Sequence, residues 1–185
     1  MGHPVSDIAS TPHLHLGTCS LAVPRVFGLI ALACVGLLSF GLYLQHVVGL
    51  TPCPMCIVQR YTMIAVALLG LVGWRLRKPS LLALWGVLLA LKAGFGAFVA
   101  ARQSWLQWYP PEVVSCGRDF YGMIENFPIG RALPMIFRGS GDCTAIDWTF
   151  LGGTIANWSF LWFVAFALLG LWIASQAWSQ RPMRR

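Results

Sequence analysis

The sequence predicts an all-α membrane protein, an antiparallel four-helix transmembrane bundle with two outward-facing loops. Three observations carry that expectation. Hydrophobic residues make up 57% of the 185-residue chain, charged residues only 10%, and the apolar residues gather in four runs. A soluble domain carries about 25% charged residues, and a helix needs about 20 apolar residues to cross the lipid core. The runs extend over Val26–Gln45, Ile57–Trp74, Leu81–Ala100 and Trp158–Ala177. The net charge of +7 does not point to nucleic acid, because the basic residues flank the apolar runs and form no stripe on a solvated face.

The first run exceeds the h-region of a signal peptide, which spans about 7–15 residues, and no small-residue cleavage site clearly ends it. It reads as a retained helix. Arg25 stands before it, Arg75, Arg77 and Lys78 fill the turn between helices two and three, and Arg181, Arg184 and Arg185 follow helix four. The positive-inside rule places those three positions in the cytoplasm. Both termini are then expected inside, and the loops at about 46–56 and 101–157 outside. The membrane domain is expected over residues 25–178. Residues 1–24 and 179–185 form cytoplasmic tails. The first tail holds His3, His13, His15 and Cys19. Three spaced histidines can bind metal; a disordered extension is the plainer reading.

The long outer loop has features of its own. Trp105, Leu106, Trp108 and Tyr109 form an aromatic cluster suited to the headgroup level. Pro110-Pro111 then turns the chain, and Phe127–Phe137 reads as a short segment on the membrane surface. Gly139, Ser140 and Gly141 offer a hinge before Cys143. A hinge there can carry a sulfur toward another site, and a merely solvated loop explains the glycines equally well.

The topology sorts the six cysteines. Cys53, Cys56, Cys116 and Cys143 fall outside, where disulfides persist. Cys19 falls in the cytoplasmic tail. Cys34 lies within helix one and reads as a small buried hydrophobe. Two stapling disulfides are one reading of the outer four. Metal is another, but only one CxxC is present, and His46 is the single histidine expected on that face.

The Cys53-Pro54-Met55-Cys56 stretch is the strongest chemical signal, a spacing used for reversible dithiol chemistry. Pro52 and Pro54 restrict the backbone ahead of helix two. Cys56 then falls near the helix start, where unpaired amide donors and the positive dipole end favour a thiolate. Arg60, four residues on, shares its helical face. One role for Arg60 is a snorkelling anchor. The other, favoured by the cost of a cation within a span, is to hold a thiolate or the developing charge on an electron acceptor. Disulfide exchange only moves an oxidising equivalent, so net oxidation needs a sink. No nucleotide fingerprint appears, and Ile57 follows Cys56 where a haem motif needs histidine. A membrane quinone needs only an apolar cleft with a polar or cationic contact, which the mouth of helix two can supply. Lys92, near the middle of helix three, is expected to pair inside the bundle or line the cleft.

CPMCIVQR at 53–60, WLQWYP at 105–110, Cys116, the GDC at 141–143 and WTFLGG at 148–153, taken together, resemble the bacterial disulfide bond formation protein B family over roughly residues 25–178. The resemblance implies a bacterial inner-membrane oxidoreductase that reoxidises a periplasmic thioredoxin-like thiol oxidase and passes the electrons to ubiquinone or menaquinone. It implies that Cys53 with Cys56, and Cys116 with Cys143, are the two redox pairs, and that Arg60 is the quinone-associated arginine. It further implies an order. The partner attacks at Cys116, Cys143 then exchanges with Cys53, and Cys56 is left facing the quinone. The sequence departs from the family where Arg102-Gln103 stands in place of a histidine found in some members, and where Ala156-Asn157 replaces a proline before helix four. Other readings are a paralogue serving a different thiol partner, a reductase similar to the vitamin K epoxide reductases, and a non-enzymatic membrane subunit stapled by two disulfides. The reductase type places its CxxC near the end of a later helix, and a stapled subunit gives no reason for Cys56 and Arg60 to share a face.

Overall fold

The computed structural model describes residues 16–110 and 141–179. Four long helices form the expected bundle: α1 (Leu16–His46), α2 (Pro54–Arg75), α3 (Pro79–Trp108) and α5 (Ile155–Ser179). Between α3 and α5 come a single helical turn, α4 (Gly141–Thr144), and the two short strands β1 (Thr149–Phe150) and β2 (Gly153–Thr154). Val23–His46 and the whole of α2, α3 and α5 are long and apolar enough to cross a membrane. Cys116, the segment Phe127–Phe137, and Gly139 and Ser140 of the expected hinge lie outside the described residues.

Apolar side chains on opposite faces of each helix do different work. Phe27, Ile30 and Cys34 of α1, Val66 of α2, Leu89 and Ala93 of α3, and Phe163, Phe166 and Ile173 of α5 share one buried core. Leu32, Leu68, Leu91 and Leu171 point outward, as they must where the solvent is lipid. Lipid tails are as apolar as leucine, so close backbone approach drives the pairing of such helices. Gly86 and Gly170 supply it between α3 and α5. A Cβ on Gly86 would stand 2.8 Å from the Gly170 carbonyl oxygen, and one on Gly170 would stand 2.8 Å from the Ala90 nitrogen.

Several boundaries differ from the hydropathy runs. Helix α1 begins at Leu16, within the expected tail, and passes through Pro24. Extending an existing helix costs far less than nucleating one. Helix α3 continues past Ala100 to Trp108, taking up most of the aromatic cluster expected in the loop. Nothing in 101–108 breaks a helix, and the chain leaves the helical path only at Tyr109, before Pro110. At ~1.5 Å per residue α3 is about 45 Å long, well beyond a hydrocarbon core of about 30 Å. Its last turns therefore extend past the core to the level of the segments around Cys53 and Ala145. Lys92 is exposed on the outside of α3, neither paired within the bundle nor on the cavity wall described below.

The loop ahead of α5 is a tight hairpin. Thr149 pairs with Thr154 and Phe150 with Gly153. Leu151 and Gly152 form the turn with φ of 50° and 78°, the left-handed pair that a two-residue hairpin of this twist demands. Thr154 then caps α5 by accepting from the Asn157 amide at 3.4 Å.

Candidate active site

The ends of all four long helices converge on one site: the C-terminal ends of α1 and α3 and the N-terminal ends of α2 and α5. Pro54 opens α2 with its fixed φ, and Cys53 is the capping residue just before it. The Cys53 Sγ accepts from the Cys56 amide at 3.3 Å, so one sulfur satisfies an end amide of the helix that carries the other. The two sulfurs are 2.8 Å apart. A small rearrangement takes two thiols at this distance to a disulfide, whose sulfur–sulfur bond is about 2.0 Å.

The third sulfur arrives from the segment between α3 and α5. Cys143, on α4, is buried with Cys53, Met55, Val99 and Leu106, and Cys56 packs against the same cluster. The Cys143 and Cys56 thiols beside it, together with burial, push the Cys53 thiol well above its ordinary value. Three sulfurs packed this closely cannot all ionise, because each charge opposes the next. The loop is tied to α3 by Gln107, which donates to the Ala145 carbonyl at 3.5 Å and accepts from the Thr154 hydroxyl at 2.8 Å.

Two glutamines complete the sulfur pocket. The Gln103 amide nitrogen lies 3.2 Å from the Cys56 Sγ and 3.3 Å from the Cys53 Sγ. Gln59 Nε2 donates to the Gln103 Oε1 at 2.7 Å. Both side chains are buried. Neither emerged from the sequence as a site residue. The available signal was the departure at Gln103 and the cost of uncharged polar residues in apolar helices.

Arg60 faces a different neighbour. Its guanidinium donates to the Gln45 side-chain oxygen and, at 3.1 Å, to the Gly41 carbonyl oxygen, both on α1. Cys56 and Arg60 line one cavity of about 550 Å³. Leu37, Phe40, Leu44, Trp162 and Phe163 make its wall largely apolar. The lining is of a kind that suits a flat, apolar headgroup with carbonyl oxygens.

A buried dithiol at a helix mouth, a third cysteine from the loop, and an apolar cavity carrying one arginine define a membrane thiol–disulfide oxidoreductase. The family model described as "Disulfide bond formation protein DsbB" matches residues 24–173. The chain is 70% identical over 146 residues to the disulfide bond formation protein B of Acidovorax sp. (strain JS42), covering 78% of this chain and 83% of that protein. It is 71% identical over 148 residues to that of Verminephrobacter eiseniae, covering 80% and 81%. It is 52% identical over 158 residues to that of Azoarcus sp. (strain BH72), covering 83% and 95%. The chain belongs to the disulfide bond formation protein B family. It is accordingly a multi-pass inner-membrane enzyme that reoxidises a periplasmic thioredoxin-like thiol oxidase by disulfide exchange and delivers the electrons to the membrane quinone pool.

Proposed function

We propose that Cys53, Cys56, Cys116 and Cys143 carry the electrons through this enzyme, and that Arg60 serves the quinone. The observation that supports the reading most directly is the burial of Cys143 against Cys53 at the rim of the cavity that Cys56 and Arg60 line. The relay begins when a thiolate of the reduced partner attacks the Cys116–Cys143 disulfide at Cys116 and releases the Cys143 thiolate. That thiolate attacks Cys53, breaking the Cys53–Cys56 bond and leaving the electron pair on Cys56. The Cys56 thiolate faces the cavity, and the Arg60 guanidinium lies on the same wall. The quinone supplies the two-electron, two-proton sink. The partner's second thiolate then breaks its bond to Cys116, and the partner leaves oxidised. The freed Cys116 thiolate attacks Cys143 and releases Cys53. The Cys53–Cys56 bond re-forms as the two electrons pass to the quinone. The sum is partner dithiol plus quinone giving partner disulfide plus quinol.

The proposal extends to orientation and domain limits. Residues 25–178 are the redox domain, between cytoplasmic tails at 1–24 and 179–185. Exposed Arg75, Arg77 and Lys78 at the end of the bundle opposite the cysteines support a cytoplasmic turn there. The loops bearing Cys53 and Cys143 then face the periplasm, where disulfides are maintained.

The test uses purified protein with quinone and a reduced thioredoxin-like partner, each of the four cysteines being replaced in turn by serine. Wild type should form quinol, and Cys56→Ser should form none. Quinol production by Cys56→Ser at the wild-type rate refutes the relay. Thiol labelling of intact cells tests the orientation, and modification of Cys19 from outside overturns it.

A further inference from the structure

The sulfur pair has a polar neighbour that the relay does not use. Gln103 and Gln59 are 5% exposed or less. They come from different helices, and burying two primary amides is costly unless they are hydrogen-bonded. Their mutual bond has a directional consequence. Because Gln59 donates to the Gln103 oxygen, the Gln103 nitrogen is turned toward Cys53 and Cys56. Turning the Gln103 amide over alone would set two N–H groups against each other.

We propose that Gln103 is a positioning residue that stabilises the Cys56 thiolate during electron transfer, and that Gln59 locks it in the donating orientation. This rests on the reading that Cys53 and Cys56 are the redox dithiol. A carboxamide suits both states of the sulfur. Its oxygen lies 3.7 Å from the Cys56 Sγ, within reach of the thiol proton, and its nitrogen lies 3.2 Å away to donate once that proton is gone. An amide neither gains nor loses a proton in the working pH range, so the donor is present at every pH at which the enzyme operates. It adds no net charge to a pocket that already receives a negative one. Once Cys143 engages Cys53, the charge rests on Cys56, and the Gln103 amide nitrogen is set to receive it.

The test compares the reduced wild-type chain with Gln103→Met and Gln59→Met, which keep length and bulk but remove the amide. Alkylation of Cys56 by iodoacetamide at fixed pH is followed by peptide mass spectrometry. Gln103→Met should slow it about tenfold, the scale of one hydrogen bond to a charged group. Gln59→Met should slow it severalfold, and the double variant no more than Gln103→Met alone. Equilibrium with glutathione supplies a second readout, a thermodynamic one that does not depend on access of the reagent to the sulfur. The Cys53–Cys56 pair of Gln103→Met should shift about tenfold toward the disulfide, because its reduced form has lost a stabilising donor. Wild-type alkylation and an unshifted glutathione equilibrium in Gln103→Met overturn the proposal. If Cys56→Ser forms quinol normally, the dithiol reading has failed instead. If Cys56→Ser is inactive while Gln103→Met matches wild type in both readouts, only the role of Gln103 has failed.

Discussion

Replacing Arg60 by methionine should separate the two halves of the reaction. The substitution keeps an unbranched stem and removes the guanidinium. An arginine offers five N–H donors, and the bonds to Gln45 and Gly41 engage one from each terminal nitrogen. The fork therefore retains donors for an oxygen in the cavity. A hydrogen bond to a charged acceptor is worth about 1.5–3 kcal/mol, and each ~1.4 kcal/mol is tenfold in rate. Loss of one such bond to the reacting quinone should lower quinol formation about ten- to a hundredfold. Arg60→Lys should fall between, since it keeps the charge and loses the planar fork. The assay is rapid-mixing absorbance in two parts: pre-reduced enzyme mixed with quinone, and oxidised enzyme mixed with reduced partner in a single turnover. Only the first should slow. An equal slowing of the second, with quinol formation from pre-reduced enzyme unchanged, would refute the assignment of Arg60 to the quinone side.

Three further outcomes follow from the geometry. Gly86→Ala places its Cβ 2.8 Å from the Gly170 carbonyl oxygen, whereas the same change at Gly94 meets nothing within 4 Å. Gly86→Ala should cost about 1–3 kcal/mol by overpacking, seen as a lower thermal midpoint in detergent, while Gly94→Ala should hold or slightly raise it. The Cys143 and Cys56 thiols, with burial, push the Cys53 thiol up, so the folded reduced state holds that proton more tightly than the unfolded chain. Its contribution to stability is complete below the unfolded thiol value of about 8.5 and is lost as pH rises toward the folded value. Thermal midpoints of the reduced protein should therefore fall more steeply above about pH 8.5 than those of the Cys53–Cys56 disulfide form, the difference being at most about 1.4 kcal/mol per pH unit. Thr154→Val removes the cap of α5 and the hydroxyl that donates to Gln107. It should cost about 1 kcal/mol and slow exchange between Cys143 and Cys53 in single turnover, leaving quinol formation from pre-reduced enzyme intact.

The spans were legible because lipid imposes its demand on every residue of a crossing helix, so composition alone reveals them. The end of α3 was not, because it is set by Pro110 and not by where apolarity fades, and its last turns carry Gln103 and Gln107. Cys53 and Cys56 were legible because CxxC places two sulfurs together within one helical turn. The meeting of Cys143 with them is a long-range contact; the glycines before Cys143 allowed such a movement, and only the family resemblance named its target. Gln59 and Gln103 lay in plain view, but nothing local says that two glutamines 44 positions apart share a bond. That bond divides the labour expected of Arg60. The sequence left Arg60 two tasks, holding a thiolate or serving an acceptor, and the structure turns its guanidinium toward α1 and the cavity while an uncharged amide meets the sulfurs. On the proposed reading the separation has a physical use. A cation in direct contact with Cys56 would deepen the thiolate's energy well and make its electrons harder to pass on. A neutral donor on the sulfur stabilises it less, and the full charge of Arg60 acts where the electrons arrive.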